Sequence, residues 1–375
     1  MRIDGPVLCV VGARPNLLKV APILRAFAAH APAIPARLVH TGQHYDHALD
    51  GQFFDVLGLP APDAHLGVGS GTHAVQTAQA MERFEPVLDA ARAGAVLVVG
   101  DVNSSLACAL VAAKKGVPVL HVEAGLRSGD MAMPEEINRL VTDSISDWFF
   151  VTEPSGVAHL QREGKPDEAI HYVGHVMVDN VLYQADKLTR TDTSGFETSA
   201  FKTQATANGG RYGVITLHRP SNVDSAAMMA RIGGALREIA NEIPLVFPVH
   251  PRTRANLQKF GIDLGPRITL IGPQPYMAFL HLWKDAALVL TDSGGLQEET
   301  TALGVPCITI RENTERPVTV DEGSNVLAGT DPAVIVAEAR KVLAGQGKAG
   351  RRPHLWDGQA AQRTVEVLAR YLNGA

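Results

Sequence analysis

The sequence predicts an α/β fold made of two doubly wound, Rossmann-like halves. Short, wholly apolar runs alternate with amphipathic helical segments, a pattern typical of parallel strands that are buried on both faces. The alternation stops at a polar stretch and then starts again. At 375 residues the chain is also long for a single hydrophobic core. Together these observations favour two domains of similar size.

Six apolar runs of the first half are predicted to be strands: 7–11, 37–41, 96–99, 117–122, 148–151 and 170–173. Helices are predicted between them over 17–30, 47–57, 72–93, 104–115, 135–146 and 155–163. Helical crossovers between short buried strands favour a parallel sheet.

The second half repeats this order. After a helix over 176–188, the segment 189–210 is rich in Thr, Ser and Gly and is predicted to be an interdomain connection or surface excursion. Strands are predicted at 213–216, 245–248, 268–271, 288–290 and 307–310, and a last helix at 359–372. We therefore predict domains at 1–175 and 176–357, with the terminal helix of 358–375 packing back on the first.

Composition narrows the classes of function. The net charge of −5 and the pI near 6.3 offer no basic face, so no nucleic-acid partner is expected. The N-terminus lacks the apolar core of a signal peptide, and no run approaches the ~20 apolar residues of a membrane span, so a cytoplasmic protein is expected. Cys9, Cys108 and Cys307 lie far apart in apolar runs, which indicates buried, reduced thiols.

Acidic residues follow two neighbouring strands of the first half. Asp101 comes just after the strand predicted at 96–99, and Glu123 just after the strand at 117–122. Glu135 and Glu136 open the following helix, one turn before Arg139. Ligands of open α/β sheets bind beyond the carboxyl ends of the strands, so two facing domains would enclose a central cleft lined by these acids. Clustered acids suit proton transfer. The alternatives are that Asp101 caps the next helix and that Glu135 and Glu136 complement a helix N-terminus.

The turn after the first strand carries two cations, Arg14 and Lys19. Cations at a helix start are disfavoured by the helix dipole unless an anion binds there. The alternative is a surface turn with two solvated charges. The dinucleotide fingerprint G-x-G-x-x-G and the Walker A motif are both missing from the sequence, which counts against NAD and P-loop chemistry.

In the second half, the segment 291–299, T-D-S-G-G-L-Q-E-E, follows a predicted strand. Ser293, Gly294 and Gly295 let the backbone approach a ligand, and the N–H groups of the first helical turn favour a phosphate. Glu298 and Glu299, one turn later, are placed to accept from sugar hydroxyls. An ordinary helix cap by Ser293 is the alternative.

Further polar residues follow the other strands of this half. His218 and His250 come at equivalent strand ends, and Arg316 adds a cation after the strand that follows the glycine pair. Two histidines in these positions fit contacts to a diphosphate or a base, although either alone is more often structural. The histidines of segment 40–47 match no metal-binding spacing, so no metal is predicted.

Taken in order, these motifs resemble the non-hydrolysing UDP-N-acetylglucosamine 2-epimerases over nearly the whole chain. The matching segments are G-A-R-P…K (12–19), V-G-D (99–101), H-V-E-A-G-L-R (121–127), P-E-E-I-N-R (134–139), P-V-H-P (248–251), T-D-S-G-G-L-Q-E-E (291–299) and T-E-R-P (314–317), together with the strand-end His218. The resemblance implies a GT-B-like architecture, a UDP-sugar substrate, a homodimer, and interconversion of UDP-GlcNAc and UDP-ManNAc without NAD or metal.

The resemblance also implies residue roles. Asp101, Glu123 and Glu135 match the carboxylates credited with acid and base work, and Arg139 matches the arginine that supports them. Phosphate contacts are implied for Arg14, His218 and the turn of Ser293, Gly294 and Gly295, with Lys19 and Arg316 nearby. Glu299 matches the acid that takes the ribose hydroxyls.

The chain departs from the family pattern at three places. Asn16 stands where many members carry Glu, the loop 129–133 is shorter than in some, and the segment 43–46 lacks the arginine of members with substrate allostery. We therefore expect weakened coupling to a second UDP-GlcNAc near Gln43 and His44. The alternatives are 2-epimerisation of a UDP-diacetamido-uronic acid, a hydrolysing relative, a GT-B glycosyltransferase and a non-enzymatic UDP-sugar sensor.

Overall fold

A computed structural model describes residues 5–43 and 53–372 of the chain, except for the side chains of Arg14, Asn208 and Leu372. Two compact units make up the chain. Unit 1 is Met1–Asn180 with His354–Ala375, and unit 2 is Val181–Pro353.

Unit 1 is built on a sheet of seven parallel strands in the order β3-β2-β1-β4-β5-β6-β7. The strands are β1 (Val7–Val11), β2 (Ala36–His40), β3 (Ala64–His65), β4 (Ala95–Val99), β5 (Val119–Val122), β6 (Trp148–Val151) and β7 (Ile170–Tyr172). The four central strands β1, β4, β5 and β6 are buried at every position. Their apolar side chains therefore support helices on both faces of the sheet.

The helices of unit 1 are α1 (Arg14–His30), α2 (His73–Ala91), α3 (Asn103–Lys114), α4 (Pro134–Ile145) and α5 (Pro154–Arg162). Residues 53–57 are also helical. A further helix, α6 (Val176–Leu188), crosses the boundary between the two units.

Unit 2 repeats the arrangement with six parallel strands in the order β10-β9-β8-β11-β12-β13. These are β8 (Gly213–Thr216), β9 (Leu245–Pro248), β10 (Ile268–Ile271), β11 (Leu288–Thr291), β12 (Cys307–Thr309) and β13 (Asn325–Leu327). The helices are α7 (Glu197–Thr206), α8 (Pro220–Val223), α9 (Ala226–Ala240), α10 (Pro251–Lys259), α11 (Tyr276–Trp283), α12 (Gly294–Leu303), α13 (Pro317–Asp321) and α14 (Pro332–Leu343).

The predicted fold class is confirmed, since each unit is a doubly wound parallel sheet. Two strands were not predicted, β3 and β13, because strands of two and three residues carry too little apolar pattern. Part of the predicted helix 47–57 lies outside the described residues.

Within the segment 189–210, predicted to be an interdomain connection or surface excursion, α7 forms a helix that was not predicted. Its propensity is modest, and tertiary contacts with α11 hold it. The buried Thr198 hydroxyl donates to the carbonyl of Ala278 at 3.3 Å, and Lys202 donates to the carbonyl of His281 at 3.0 Å. Packing of this kind overrides weak local preference.

The last helix, α15 (Ala360–Leu372), belongs to unit 1 although unit 2 separates it from the rest of that unit. The buried carboxylate of Asp179 accepts from the N–H groups of Ala360 and Ala361 at 3.1 and 2.7 Å. Just before the helix, the indole of Trp356 is buried and donates to the carbonyl of Thr152 at 3.1 Å. These contacts fix the start of α15, whose first N–H groups would otherwise lack partners.

All three cysteines are free and buried, as predicted. Burial raises the pKa of the Cys9 thiol to about 12 and that of Cys307 to about 11, so neither is a reactive thiolate at neutral pH. Within residues 5–43 and 53–372, no helix is both long enough and apolar enough to cross a bilayer.

We predict that Asp179→Ala destabilises unit 1 by about 2 kcal/mol, because it removes two buried hydrogen bonds at the start of α15. The matched control is Thr72→Ala, also in unit 1, which removes a single exposed cap, the bond from Val75 N–H at 3.3 Å at the start of α2. Its cost should be about 0.5–1 kcal/mol. Urea unfolding of a Trp283→Phe background, where Trp148 and Trp356 report on unit 1 alone, measures both; equal losses would contradict the prediction.

Candidate active site

Glu123, directly after β5, forms a buried ion pair with Lys19 of α1. The Lys19 ammonium meets Oε2, and the other carboxylate oxygen, Oε1, lies 3.7 Å from Nε2 of the buried His175. The Nδ1 of His175 accepts from the N–H of Met177 at 3.1 Å, so a neutral ring carries its proton on Nε2, toward Glu123. Glu123 is thus a buried carboxylate between Lys19 and His175, and Lys19 compensates its charge. This makes Glu123 a candidate for the base of a reaction.

Asp101, directly after the turn that ends β4, is bound by the guanidinium of Arg139 from α4. Arg139 also donates to Glu136 at 2.8 Å. The capping interpretation of Asp101 is wrong, since α3 begins at Asn103 without a side-chain cap. One buried arginine therefore bridges two of the predicted acids.

Glu136 performs a structural task. Its carboxylate accepts from the N–H groups of Ser128 and Gly129 at 2.9 and 3.0 Å, which fixes the loop before α4. Burial alone would raise its pKa, but these bonds and Arg139 outweigh it and lower the pKa. Glu135, its neighbour in the first turn of α4, is only half-buried.

Asn16, where the sequence departs from the family pattern, joins α1 to the sheet. Its Oδ1 accepts from the N–H of Ala13 at 3.1 Å, and its Nδ2 donates to the carbonyl of Val99 at 2.9 Å. The amide supplies both an acceptor and a donor, which an ionised Glu could not do.

In unit 2, His218 is about half exposed while its partner, Asp292, is completely buried. Nδ1 of the ring lies 3.0 Å from Asp292 Oδ1. The same carboxylate accepts from the N–H groups of His218 and Arg219 and from Asn222 Nδ2, at 3.0–3.1 Å. Burial would raise the pKa of Asp292, but the hydrogen bonds and the charge of His218 outweigh it and lower the pKa. Asp292 therefore fixes the backbone and ring of His218.

The predicted phosphate turn lies at the start of α12. Ser293 is the N-cap residue, but its side chain makes no capping bond, so the ordinary-cap interpretation is wrong. A Cβ at Gly294 would lie 2.8 Å from Glu315 Oε1, so only glycine fits beside this carboxylate. Arg311 binds the other oxygen of Glu315 at 2.9 Å, and Arg219 lies 3.8 Å from Oε1.

Cations surround Glu315 and set its ionisation. Burial would raise its pKa, but Arg316 and Arg311 lower the pKa to about 2. The helix start is thus bordered by two buried arginines, Arg311 and Arg316, and by a carboxylate that they keep ionised at neutral pH.

The two acids of α12 differ in environment. Glu298 is buried and bound by Nε of Arg316, so this acid is engaged by the protein itself. Glu299 is buried and accepts from the hydroxyl of Tyr276 at 2.8 Å. Burial raises the pKa of Glu299 to about 7, against the bond from Tyr276 and assisted by the charge of Glu298.

Other predicted residues are less informative. His250 is exposed and caps α10, since its Nδ1 accepts from the N–H of Arg252 at 3.3 Å. The side chain of Arg14 and residues His44 and His47 lie outside what the structure describes.

Four residues of these sites were not predicted: His175, Asp292, Arg311 and Glu315. The strand-end rule could have found His175 and Asp292, which follow β7 and β11. Arg311 and Glu315 lie in an irregular segment, where no periodicity signals their contacts.

Comparison with known proteins gives a consistent result. A model of the family described as UDP-N-acetylglucosamine 2-epimerase matches residues 27–369. A UDP-N-acetylglucosamine 2-epimerase of Methanococcus maripaludis is 40% identical over 340 residues, 89% of this chain and 90% of its own. A UDP-2,3-diacetamido-2,3-dideoxy-D-glucuronate 2-epimerase of Pseudomonas aeruginosa is 38% identical over 97% of this chain and 99% of its own. A crystal structure of Methanocaldococcus jannaschii UDP-GlcNAc 2-epimerase in complex with UDP-GlcNAc and UDP superposes with a TM-score of 0.85 at 37% identity, covering 97% and 99% of the two chains.

The raised pKa of Glu299 predicts a pH dependence of stability. A carboxyl that is harder to ionise in the folded state stabilises fully below its unfolded pKa, near 4.5, and loses that contribution as the pH rises through about 7. Glu299→Gln stays neutral throughout. Between pH 4.5 and 8 the wild type should therefore lose about 3 kcal/mol of unfolding free energy relative to this variant.

Urea titrations across this pH range measure the difference. Glu82→Gln, an exposed carboxylate of α2, is the control and should show no such trend. A flat difference between wild type and Glu299→Gln would contradict the prediction.

Proposed function

We propose that this chain, which belongs to the UDP-N-acetylglucosamine 2-epimerase family, inverts carbon 2 of a UDP-2-acetamido sugar and interconverts UDP-GlcNAc and UDP-ManNAc. The observation that carries the proposal is the pairing of strand-end carboxylates with buried cations in unit 1: Glu123 with Lys19, and Asp101 with Arg139. No nicotinamide or metal is required by this chemistry.

The reaction is an elimination followed by a readdition. A base removes the proton from carbon 2 as the bond from carbon 1 to the diphosphate oxygen breaks, which forms 2-acetamidoglucal and UDP. A proton is then delivered to the opposite face of carbon 2 while the UDP oxygen bonds to carbon 1 again. No carbonyl group activates the carbon 2 proton, so cations that stabilise the departing diphosphate are chemically necessary.

Unit 1 supplies the proton-transfer groups in this proposal. Glu123, Asp101 and Glu135 act as acid and base, while Lys19 and Arg139 hold the first two in place. Glu123 is buried, which supports this assignment. A carboxylate that is removed from water becomes a more reactive base when the hydrogen bond from its partner, here Lys19, weakens.

Unit 2 binds UDP in this proposal. His218, with its ring fixed by Asp292, and the turn of Ser293, Gly294 and Gly295 hold the diphosphate. Arg316 adds positive charge, the family resemblance implies the same for Arg14 of unit 1, and His250 contributes at the neighbouring strand end. Glu299, which is itself buried, takes the ribose hydroxyls.

A UDP-diacetamido-uronic acid is the second candidate substrate. The Pseudomonas aeruginosa relative named for such a sugar is 38% identical to this chain, as is the Methanocaldococcus jannaschii UDP-N-acetylglucosamine 2-epimerase. Side-by-side turnover of the two sugars decides between them. The homodimer and the cytoplasmic location expected from the sequence stay predictions.

Elimination and readdition predict solvent exchange at carbon 2. In deuterated water the epimerised sugar should carry deuterium at that carbon, because the returning proton comes from solvent. Prolonged incubation should also release some UDP and 2-acetamidoglucal. Nuclear magnetic resonance of the product measures both, and epimerised sugar with hydrogen retained at carbon 2 would overturn the mechanism. A glycosyltransferase would give no product without an acceptor, and a hydrolase would release free sugar.

The carboxylates of unit 1 should each be required for turnover. We predict that Asp101→Asn, Glu123→Gln and Glu135→Gln each lower kcat ~10²–10⁴-fold, the usual loss for a positioned acid or base. UDP affinity, measured by calorimetry, should stay near that of the wild type because unit 2 binds UDP. Glu168→Gln, an exposed carboxylate of unit 1, is the control. A carboxylate whose amide variant turns over normally has no part in the chemistry.

A further inference from the structure

Glu123 has a strained backbone. Its φ is 68°, in the left-handed region that side chains other than glycine rarely adopt, at a cost of roughly 1–2 kcal/mol. The N–H groups of Glu123 and Ala124 both donate to the carbonyl of Phe150, at 3.0 and 3.3 Å. Strain of this kind persists only where surrounding contacts enforce it, and it is concentrated at functional sites.

Asp143, on α4, holds the part of this turn that follows Glu123. Its Oδ2 accepts from the N–H of Gly125 at 3.0 Å and from Arg127 at 2.7 Å, and the carboxylate is completely buried. Gly125 has a φ of 79°, and a Cβ there would lie 2.3 Å from the carbonyl of Gly156, so the turn has no room for a side chain at this position. Asp143 thus holds the residue two positions after Glu123.

The other oxygen of Asp143 meets His121, a completely buried residue of β5. Nδ1 of His121 lies 2.6 Å from Asp143 Oδ1, and Nε2 lies 3.1 Å from the carbonyl of Gly100. Both partners are acceptors, because Gly100 offers only its carbonyl and the carboxylate is ionised. A neutral imidazole has one N–H, so only the doubly protonated ring satisfies both contacts.

The charges around the pair are balanced. Burial would raise the pKa of Asp143, but the charges and hydrogen bonds of His121 and Arg127 outweigh it and lower the pKa. Arg127, in turn, is paired with Glu163 at the end of α5 at 2.7 Å. The groups that face His121 are therefore the Asp143 carboxylate from α4 and the Gly100 carbonyl from the turn after β4. Arg127, from the loop after β5, faces Asp143.

The contacts of this pair end on two different turns. Gly100 directly precedes Asp101, and Gly125 follows Glu123 by two residues. We propose that the buried ion pair of His121 and Asp143 is a positioning device that fixes the turn of Asp101 against the turn of Glu123. The proposal rests on the proposed function, in which these two carboxylates act on one sugar carbon. Neither His121 nor Asp143 is a group that touches substrate; both act through the turns.

Asp143→Asn tests the proposal, since it keeps the shape and removes the charge. We expect kcat for the UDP-sugar to fall about 10–100-fold, because small displacements of reacting groups cost this much. UDP affinity should not change, since the pair lies in unit 1. Unchanged kcat would overturn the proposal. If the wild type shows no epimerisation, the proposed function fails instead, which keeps the two failures distinct.

The charge state has its own signature. In the wild type, nitrogen NMR should show both ring nitrogens of His121 protonated at neutral pH, with the signal assigned by its loss in His121→Gln. In Asp143→Asn one ring nitrogen should lose its proton. A neutral His121 ring in the wild type would overturn the ion-pair arrangement without reference to activity.

A second variant is needed if Asp143→Asn does not fold, since that change removes the charged partner of the Arg127 guanidinium. The double variant His121→Gln with Asp143→Asn replaces the ion pair by two neutral amides. We expect it to fold and to retain at least the kcat of the single variant, because the two changes are coupled. If kcat of the double variant fell by the product of the losses of the two single variants, a shared role of His121 and Asp143 would be contradicted.

Asp147→Asn is the matched control. Asp147 accepts from the N–H of Val119 at 2.8 Å, at the opposite end of the same strand β5. It should lower stability and leave kcat as in the wild type. If it lowered kcat as much as Asp143→Asn, the effect would belong to general weakening of β5 and the positioning role would be excluded.

Discussion

A carboxylate can be buried only if its charge is compensated, and this constraint decides the structure of both sites. An isolated buried carboxylate is too costly to persist. Glu123 is compensated by Lys19 and Asp143 by His121 and Arg127, while in unit 2 histidine or arginine compensates Asp292, Glu298 and Glu315. Each cation therefore has a structural reason to lie at a strand end before any ligand arrives. The result is a set of fixed dipoles and charges of the kind that stabilises charge development during a reaction.

Two carboxylates of unit 2 show how the same constraint has opposite outcomes. Glu315, among arginines, has its pKa lowered to about 2 and stays charged. Glu299, which accepts from the neutral phenol of Tyr276, has its pKa raised to about 7, so both its protonated and its ionised form are populated at neutral pH. Environments that push the pKa values of nearby acids apart assign them different tasks. One serves to organise cations, and the other is free to donate to or accept from a ligand hydroxyl.

The fold class and much of the two sites could be predicted from the sequence, because both depend on local patterns. Apolar strands of four or five residues can be recognised in the sequence, and polar residues that follow them must lie at the carboxyl edge of a parallel sheet. Asp101 and Glu123 were predicted in this way. Asp143 and Arg311 were not predicted, since Asp143 lies in the last turn of α4 and Arg311 in an irregular segment, and their contacts exist only after distant elements pack. The helix of 197–206 escaped prediction for the same reason.

The chain returns to unit 1 after unit 2, which affects the order in which the two units can fold during translation. The residues from His354 onward include the buried Trp356 and the helix α15, whose apolar side chains complete the core of unit 1. The strands of this unit are translated earlier. Unit 2, continuous in sequence, has all its parts as soon as it leaves the ribosome. Unit 1 must wait with an exposed apolar face until the whole of unit 2 has been synthesised. During translation, the unit that begins first is therefore the last to close, and it is the one most in need of protection from aggregation.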